Sequence, residues 1–303
     1  MKHRCPVPAD INVALSVNPS PKSGPVVRFG RYYRTSDARW IQRYRCRTCS
    51  RYFSSATGSR RFDQRKRRVN EPLRLLLCSG VSQRRAAVLL RVNRKTVVRK
   101  FRWLAEQART ENERRRLRSR LPLKSIQFDD LETSEHSKCK PLSVALAVDA
   151  NTREILAFQV SQMPAKGLLA RMALQKYGPR KDERAKGWRA LMQDLGPVVD
   201  QAACIRSDEN PHYLRFVKRA FPEATHETVK GRRGCVAGQG ELKKIGFDPL
   251  FALNHTCAML RANLNRLFRR TWCTTKKRDA LRDHIAIYVQ FHNRTVLSGI
   301  AAA

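Results

Sequence analysis

Ser125-Ile126-Gln127-Phe128-Asp129-Asp130 marks a change of texture in the chain, and its reading decides the fold. Ile126 to Asp129 reads as a short strand that ends on an acid. Two apolar runs follow, Leu142 to Val148 and Ile155 to Val160. Between them Asp149-Ala150-Asn151-Thr152 has turn chemistry. The pattern predicts three strands, with an antiparallel hairpin. Residues 165–197 are helical in composition and are broken at Gly178-Pro179. Ala202-Ala203-Cys204-Ile205 is another short apolar run, leading to Ser207-Asp208. A helix is expected over Tyr213 to Ala220, then a loop rich in Gly and basic residues from Lys230 to Gly240. Further helices are expected over about 254–270 and over 276–292. The expected fold class for 123–303 is therefore α/β, a mixed sheet with flanking helices.

Within this layout three polar residues stand where elements begin or end: Asp129, Asp208 and Asn254. Strand, acid, hairpin, helix, strand, acid and then a polar residue on a helix is the layout of an RNase H-like nuclease core. Two aspartates at neighbouring strand ends can hold two divalent metals about 3.5–4 Å apart, one activating the attacking oxygen and one stabilising the leaving oxygen. Carboxylates suit Mg²⁺ and Mn²⁺, which are hard cations. Such a site needs no covalent protein nucleophile; it works by positioning and charge stabilisation. Asn254 can offer a carbonyl oxygen but no charge. Arg261 follows it by seven residues, about two helical turns, so the two share a face. Arg261 there could hold a DNA phosphate. Alternatives stay open. Asp130 competes for the first position, facing the other side of the strand. Glu241, beside Gly238-Gln239-Gly240, competes for the third. His226 either contacts the site or fills the core. Each of the three polar residues also has a plain structural reading, Asp129 as a turn residue and Asp208 and Asn254 as helix N-caps.

Working outward, the segment before residue 125 is different in kind. The 303-residue chain carries a formal charge of +37. Residues 1–125 hold 33 Lys+Arg against 7 Asp+Glu, whereas 126–303 hold 29 against 18. Folding needs no such excess, and phosphate neutralisation is its natural use. The front half is the expected main surface for double-stranded DNA. No stretch approaches the roughly 18 apolar residues of a membrane span, and no lipidation motif occurs, so a membrane role is set aside. Met1 to Pro6 has no apolar signal region, and the nine Cys are scattered without a framework. Reduced thiols and a cytoplasmic location are the expectation.

Residues 70–108 carry a helix-turn-helix pattern. A first helix over Asn70 to Cys78 places Leu73, Leu76 and Leu77 on one side, and Gly80 ends it. Ser82 is the expected N-cap of a second helix containing Ala86, Ala87 and Leu90. Arg91-Val92-Asn93 makes the turn, with Val92 as an apolar plug and Asn93 as the next cap. A third helix sets Val97, Phe101 and Leu104 on its apolar face and Arg94, Lys95, Thr96, Arg99 and Lys100 on the other. Those five are the candidate DNA contacts of a recognition helix. Upstream, Cys46 and Cys49 lie three positions apart among Arg45, Arg47, Arg51, Tyr52 and Phe53, half of a zinc ribbon. Cys5 is the third candidate Zn²⁺ ligand, with His3 and Asp10 as possible companions. The other reading is a ribbon held by packing without metal. Thr110 to Arg120 reads as a solvated helix end or linker, with Pro122 as a boundary. The expected domains are 1–60, a zinc-ribbon-like segment; 61–122, helix-turn-helix; and 123–303, catalytic.

Leu253-Asn254-His255-Thr256 through Leu260-Arg261, then Asn265 to Thr271, resembles the third catalytic block of small bacterial insertion-sequence transposases. Phe128-Asp129-Asp130 resembles their first block, and Ser207-Asp208, with Tyr213 and later His226, their second. The front half is similar to their zinc-ribbon and helix-turn-helix arrangement, so the resemblance covers most of the chain. It implies an RNase H-like catalytic domain with Asp129, Asp208 and Asn254 as metal ligands, loaded with Mg²⁺ or Mn²⁺. It implies strand cleavage at the element's ends, freeing a 3′-hydroxyl that attacks target DNA, and a homo-oligomer that pairs two ends. The family usually carries Glu at the third position. Some related transposases are similar to this chain in having Asn, followed seven residues later by a basic residue. Rival readings are a decayed remnant that only binds DNA, a nuclease or resolvase without strand transfer, and a transcription regulator. The last leaves the spaced acids of 126–303 without a reason.

Overall fold

In the computed structural model, residues 26–35, 38–57, 59–62, 64–118, 122–230, 248–268 and 273–301 are described. The chain divides into two compact units, 1–72 and 73–303.

The first unit is built on an antiparallel three-stranded sheet, β1 (Val26–Arg34), β2 (Arg39–Cys46) and β3 (Tyr52–Ser54). Val26 faces Cys46 at one end of the β1–β2 ladder and Arg34 faces Arg39 at the other. The register shifts between Arg28 and Arg31, where Phe29-Gly30 forms a bulge. Gly30 takes φ 66°, open to a glycine at no cost, and Gln42 Nε2 donates to its carbonyl at 2.8 Å.

The second unit opens with α1 (Asn70–Leu77), whose first residues belong to the preceding unit, and continues with α2 (Gln83–Leu89) and α3 (Arg94–Leu117). Both expected caps form: Ser82 Oγ accepts from Arg85 N and Asn93 Oδ1 from Lys95 N. Gly80 sits at φ 75°, and its N–H donates to Asn263 O at 2.7 Å. Val97, Phe101 and Leu104 are buried, as their spacing requires. Of the two readings of Thr110–Arg120, helix end or linker, the structure has the helix end: α3 runs unbroken to Leu117. Its last turns are tied by ion pairs, Arg115 to Glu154 just before the strand at 155–162 at 2.6 Å and Arg116 to Asp194 on the helix at 184–195 at 3.2 Å.

The sheet that follows holds β4 (Leu123–Ser134), β5 (Pro141–Asp149), β6 (Ile155–Gln162), β7 (Val199–Asp208) and β8 (Thr225–Val229), in the order β6-β5-β4-β7-β8. β5 is antiparallel to β4 and β6, whereas β7 and β8 run parallel to β4. On one face pack α5 (Arg184–Leu195) and α6 (Tyr213–Ala220), through Trp188, Leu191, Tyr213 and Val217 against Ile126, Phe128, Ala145, Ala147 and Ile205. Small residues on β5 and β6 let α5 come close. A Cβ at Gly187 would lie 2.2 Å from Ser161 Oγ. The short α4 (Leu169–Tyr177) precedes α5. The opposite face is covered by α7 (Phe251–Asn263) and α8 (Arg278–Ala301).

α8 joins the helical segment to the sheet. Asn293 makes bonds to both the N–H and C=O of Ile155. His284 Nε2 bonds Leu77 O at 2.9 Å, and Asn112 Nδ2 donates to Ala286 O at 3.0 Å. Burial pushes the His284 imidazole down to about 3, so it is neutral there. The helices after residue 72 therefore share a body with the sheet, and the compact units divide at 72/73. The apolar stripes of α3 and α8 need each other to be covered.

Three further element boundaries differ from expectation. β4 does not end at Asp129 but runs on to Ser134, because β5 pairs with it along its whole length. β8 lies where no strand is expected; a five-residue edge strand alternating Thr225, Glu227 and His226 has little apolar signal. α7 spans 251–263, earlier than 254–270, so Asn254 is inside the helix and is not its N-cap. Among the described residues no helix is long and apolar enough to cross a membrane.

Candidate active site

β4 and β7 bring the two acids together. They run parallel, with Ile126 beside Ile205 and Gln127 beside Arg206. Two residues on, Asp129 stands level with Asp208, the last residue of β7. Alternation sets their faces. Ile126, Phe128 and Ile205 enter the core under α5 and α6. Gln127, Asp129, Arg206 and Asp208 point the other way, toward α7. Gln127 docks that helix, donating to Pro249 O at 2.9 Å and accepting from Leu253 N at 3.0 Å.

The same alternation separates the two competitors for the first position. Asp130 lies on the α5 face, where Trp188 Nε1 reaches its two oxygens at 3.1 and 2.9 Å. Burial raises its pKa, and the Trp188 hydrogen bond works against the rise. Asp130 is a half-buried, hydrogen-bonded acid turned away from Asp208. Asp129 is the one that faces it.

Asp129 is pushed up to about 7, first by burial and next by the charge of Asp208. Bonds from Asp130 N at 2.6 Å and Tyr213 Oη at 3.2 Å pull it partway back. Asp208 is also raised, mainly by burial, with Asn210 N offsetting it at 3.2 Å. Two half-buried carboxylates held side by side repel unless a proton or a cation sits between them. That is the electrostatic condition of a divalent-cation site with hard oxygen donors.

α7 supplies the third wall. Asn254, Cys257 and Arg261 follow at three and seven residues and share one face. Cys257 places that face beside the acids: its thiol is pushed up to about 12 by burial and by the charge of Asp129, against the pull of Arg261. Asn254 Nδ2 donates to Asp248 Oδ2 at 2.9 Å, which leaves its Oδ1 as the acceptor. Asp248 also closes the turn into α7, accepting Leu250 N on its side chain and Phe251 N on its backbone. Asp248 and Cys257 escape a reading of sequence motifs. The one signal for Cys257 is its spacing from Asn254 and Arg261; for Asp248 it is an Asp just ahead of an apolar helical run.

His226 lies across from Ile205 on β8, on the α6 side of the sheet, away from the two acids. Its Nε2 is 2.8 Å from Ser207 Oγ, and its ring stacks on Phe128 at 6.2 Å. Ser207 Oγ in turn donates to Asp208 O, so Nε2 carries the proton and Nδ1 the lone pair. Burial holds this imidazole below its usual pKa. His226 thus supports the strand that ends on Asp208.

On α3, Arg94, Lys95 and Arg99 are exposed and Thr96 is half-buried. Lys100 is only 6% exposed, which corrects its expected place on the outer face. It lies three residues after Val97 and four before Leu104, within the buried stripe. Cys46 is buried at the end of β2 and Cys49 half-buried in the turn that follows, closed by Cys46 N to Arg51 O at 3.0 Å. Cys5, His3, Asp10 and Glu241 lie outside the described residues. Among the described residues, no group of three or more His, Cys, Asp or Glu is placed to hold a metal ion. The acidic pair counts two, with an amide at the third position. No protein-family model matches the sequence, and no curated protein matches it significantly.

Proposed function

We propose that the chain is the transposase of an insertion sequence, an enzyme that cuts and rejoins DNA with an RNase H-like catalytic core. The observation that carries this reading is the pairing of Asp129 with Asp208 on the sheet face that α7 covers with Asn254 and Arg261. The strand order, with a central β4 flanked by one antiparallel hairpin and two parallel strands, supports the RNase H-like assignment. Asp129 and Asp208 would hold Mg²⁺ or Mn²⁺, with Asn254 Oδ1 as a neutral donor. Such cations, when bound, activate the attacking oxygen and stabilise the leaving one. The protein's own share is positional. Tyr213 orients Asp129, Asp248 orients Asn254, and Arg261 adds a positive charge for a phosphate beside them. Arg94, Lys95, Thr96 and Arg99 on α3 would contact the terminal repeats of the element, and a homo-oligomer would bring two ends together. The ribbon-like Cys46-Cys49 turn would present basic and aromatic residues to DNA, with or without Zn²⁺.

A second reading, a catalytically decayed remnant that only binds DNA, is favoured by the amide where a third carboxylate would add charge. Cleavage of DNA carrying the gene's own flanking sequences, with Mg²⁺ or Mn²⁺, separates the two. The transposase reading expects metal-dependent cuts at the element ends and joined products, both absent in Asp129→Asn and Asp208→Asn. Tight binding of those ends with no cut by any of the three proteins would establish the remnant.

A further inference from the structure

The three-stranded sheet of the first unit exposes a row of two rings flanked by two cations. Arg43 Cζ lies 5.4 Å from the Phe29 ring centroid, Phe29 packs on Tyr52 at 4.8 Å, and Arg45 Cζ lies 5.7 Å from the Tyr52 ring. Strand pairing explains the row. Arg45 faces Tyr52 across β2–β3, Arg43 is two residues along the same face of β2, and the bulge at Phe29-Gly30 brings Phe29 in beside them. Phe29 is 41% and Tyr52 56% exposed, and both arginines are exposed. An apolar core does not leave two packed rings this open. The surroundings fix the charge of any partner. Residues 26–69 contain 14 Lys+Arg and two acids, Asp37 and Asp63.

We infer that this row is a stacking surface for unpaired nucleotide bases, so that the first unit binds single-stranded nucleic acid. Aromatic rings flanked by guanidinium groups offer flat faces to bases, while the same arginines meet the backbone phosphates. A duplex keeps its base faces stacked inside and presents only edges and phosphates, which would leave the two rings without a use. An acidic protein surface would satisfy the charge but not the flat faces. The inference goes beyond the catalytic reading and does not rest on it, since it needs neither Asp129 nor a divalent cation.

The test is a set of binding titrations with the full chain in EDTA, at salt high enough to weaken phosphate contacts. The probes are a short oligothymidylate, an abasic strand of the same length and charge, and a duplex. Oligothymidylate should bind about tenfold tighter than the abasic strand for each base stacked. Phe29→Ala and Tyr52→Ala should each reduce that preference about tenfold while leaving abasic binding unchanged, and Tyr52→Phe should retain it. Equal affinity for the two strands in the unaltered chain would overturn the inference. So would a preference that survives both alanine variants, or an equal loss of abasic binding in Tyr52→Ala, which would mean that the ring serves only to hold the sheet. Because no cleavage is read, a chain without catalytic activity can pass this test, and a transposase can fail it.

Discussion

Asp129 is an acid whose position works against its own ionisation. Its folded pKa, about 7, lies above the ordinary carboxylate value through burial and the nearby Asp208. A carboxyl raised in this way favours the folded state while protonated. Its contribution is fully present below about pH 4 and is lost as pH rises to about 7. In EDTA at pH 7–8, Asp129→Asn should therefore melt a few degrees higher than the unaltered protein; about 1 kcal/mol moves Tm by about 2–4 °C in a body of this size. The advantage should vanish toward pH 4. Added Mn²⁺ should raise the Tm of the unaltered chain and not that of the variant. A variant that melts lower at neutral pH would show that the ionised Asp129 carboxylate is not disfavoured by its burial and the nearby Asp208. Asp248 makes a different prediction. Asp248→Ala removes the turn closure of α7, at a cost of about 1 kcal/mol, and frees the Asn254 amide to rotate. Scanning calorimetry should show a lower Tm in EDTA and a smaller Mn²⁺-induced rise. If the Mn²⁺ shift equals that of the unaltered chain, Asp248 closes the turn and does nothing more.

Among the elements, the tight turn after α1 is the most constrained. Gly80 has a left-handed φ of 75°, and a Cβ there would come 2.8 Å from the ring of Phe268. Gly80→Ala meets two penalties, about 1 kcal/mol for the backbone conformation and about 1–3 kcal/mol for the ring that must move. A loss of about 2–4 kcal/mol in urea unfolding is expected, and truncating the ring with Phe268→Ala in the same chain should relieve the steric part. Additive losses in the double variant would mean that ring and turn do not meet. The elements also mark how far local signals reach. Ser82 and Asn93 cap their helices as read, because a cap is a bond between residues two or three apart. The end of β4 escapes such reading: whether Asp130 to Ser134 are strand depends on β5, whose partner residues lie 7 to 15 positions away in sequence. β8 is strand because β7 offers it an edge, not because its own residues favour one.

For the whole molecule, the charge of +37 would dominate the encounter with DNA that the proposed function requires. If about six phosphates are neutralised, the log–log dependence of duplex affinity on salt should have a slope of about −5. A slope near zero would remove the basic front from the binding account. The exposed cations of α3 should contribute to this term, but Lys100 should not, since it is buried. Substituting Arg99 should flatten the slope by about 1 and Lys100→Met should leave it unchanged.

The sequence by itself determined the charge, the helix caps and turns of 70–108, the hairpin of β5 and β6, and the presence of acids at 129 and 208. These rest on composition, on period and on bonds between near neighbours. Only the tertiary structure decided which of Asp129 and Asp130 faces Asp208, that His226 stands on the far side of the sheet, that Lys100 is inside, that Cys257 lies within reach of the Asp129 charge, and that Asp248 holds Asn254. Each of these depends on which strand lies beside which and which helix covers which face, and those pairings are made between residues far apart in the chain.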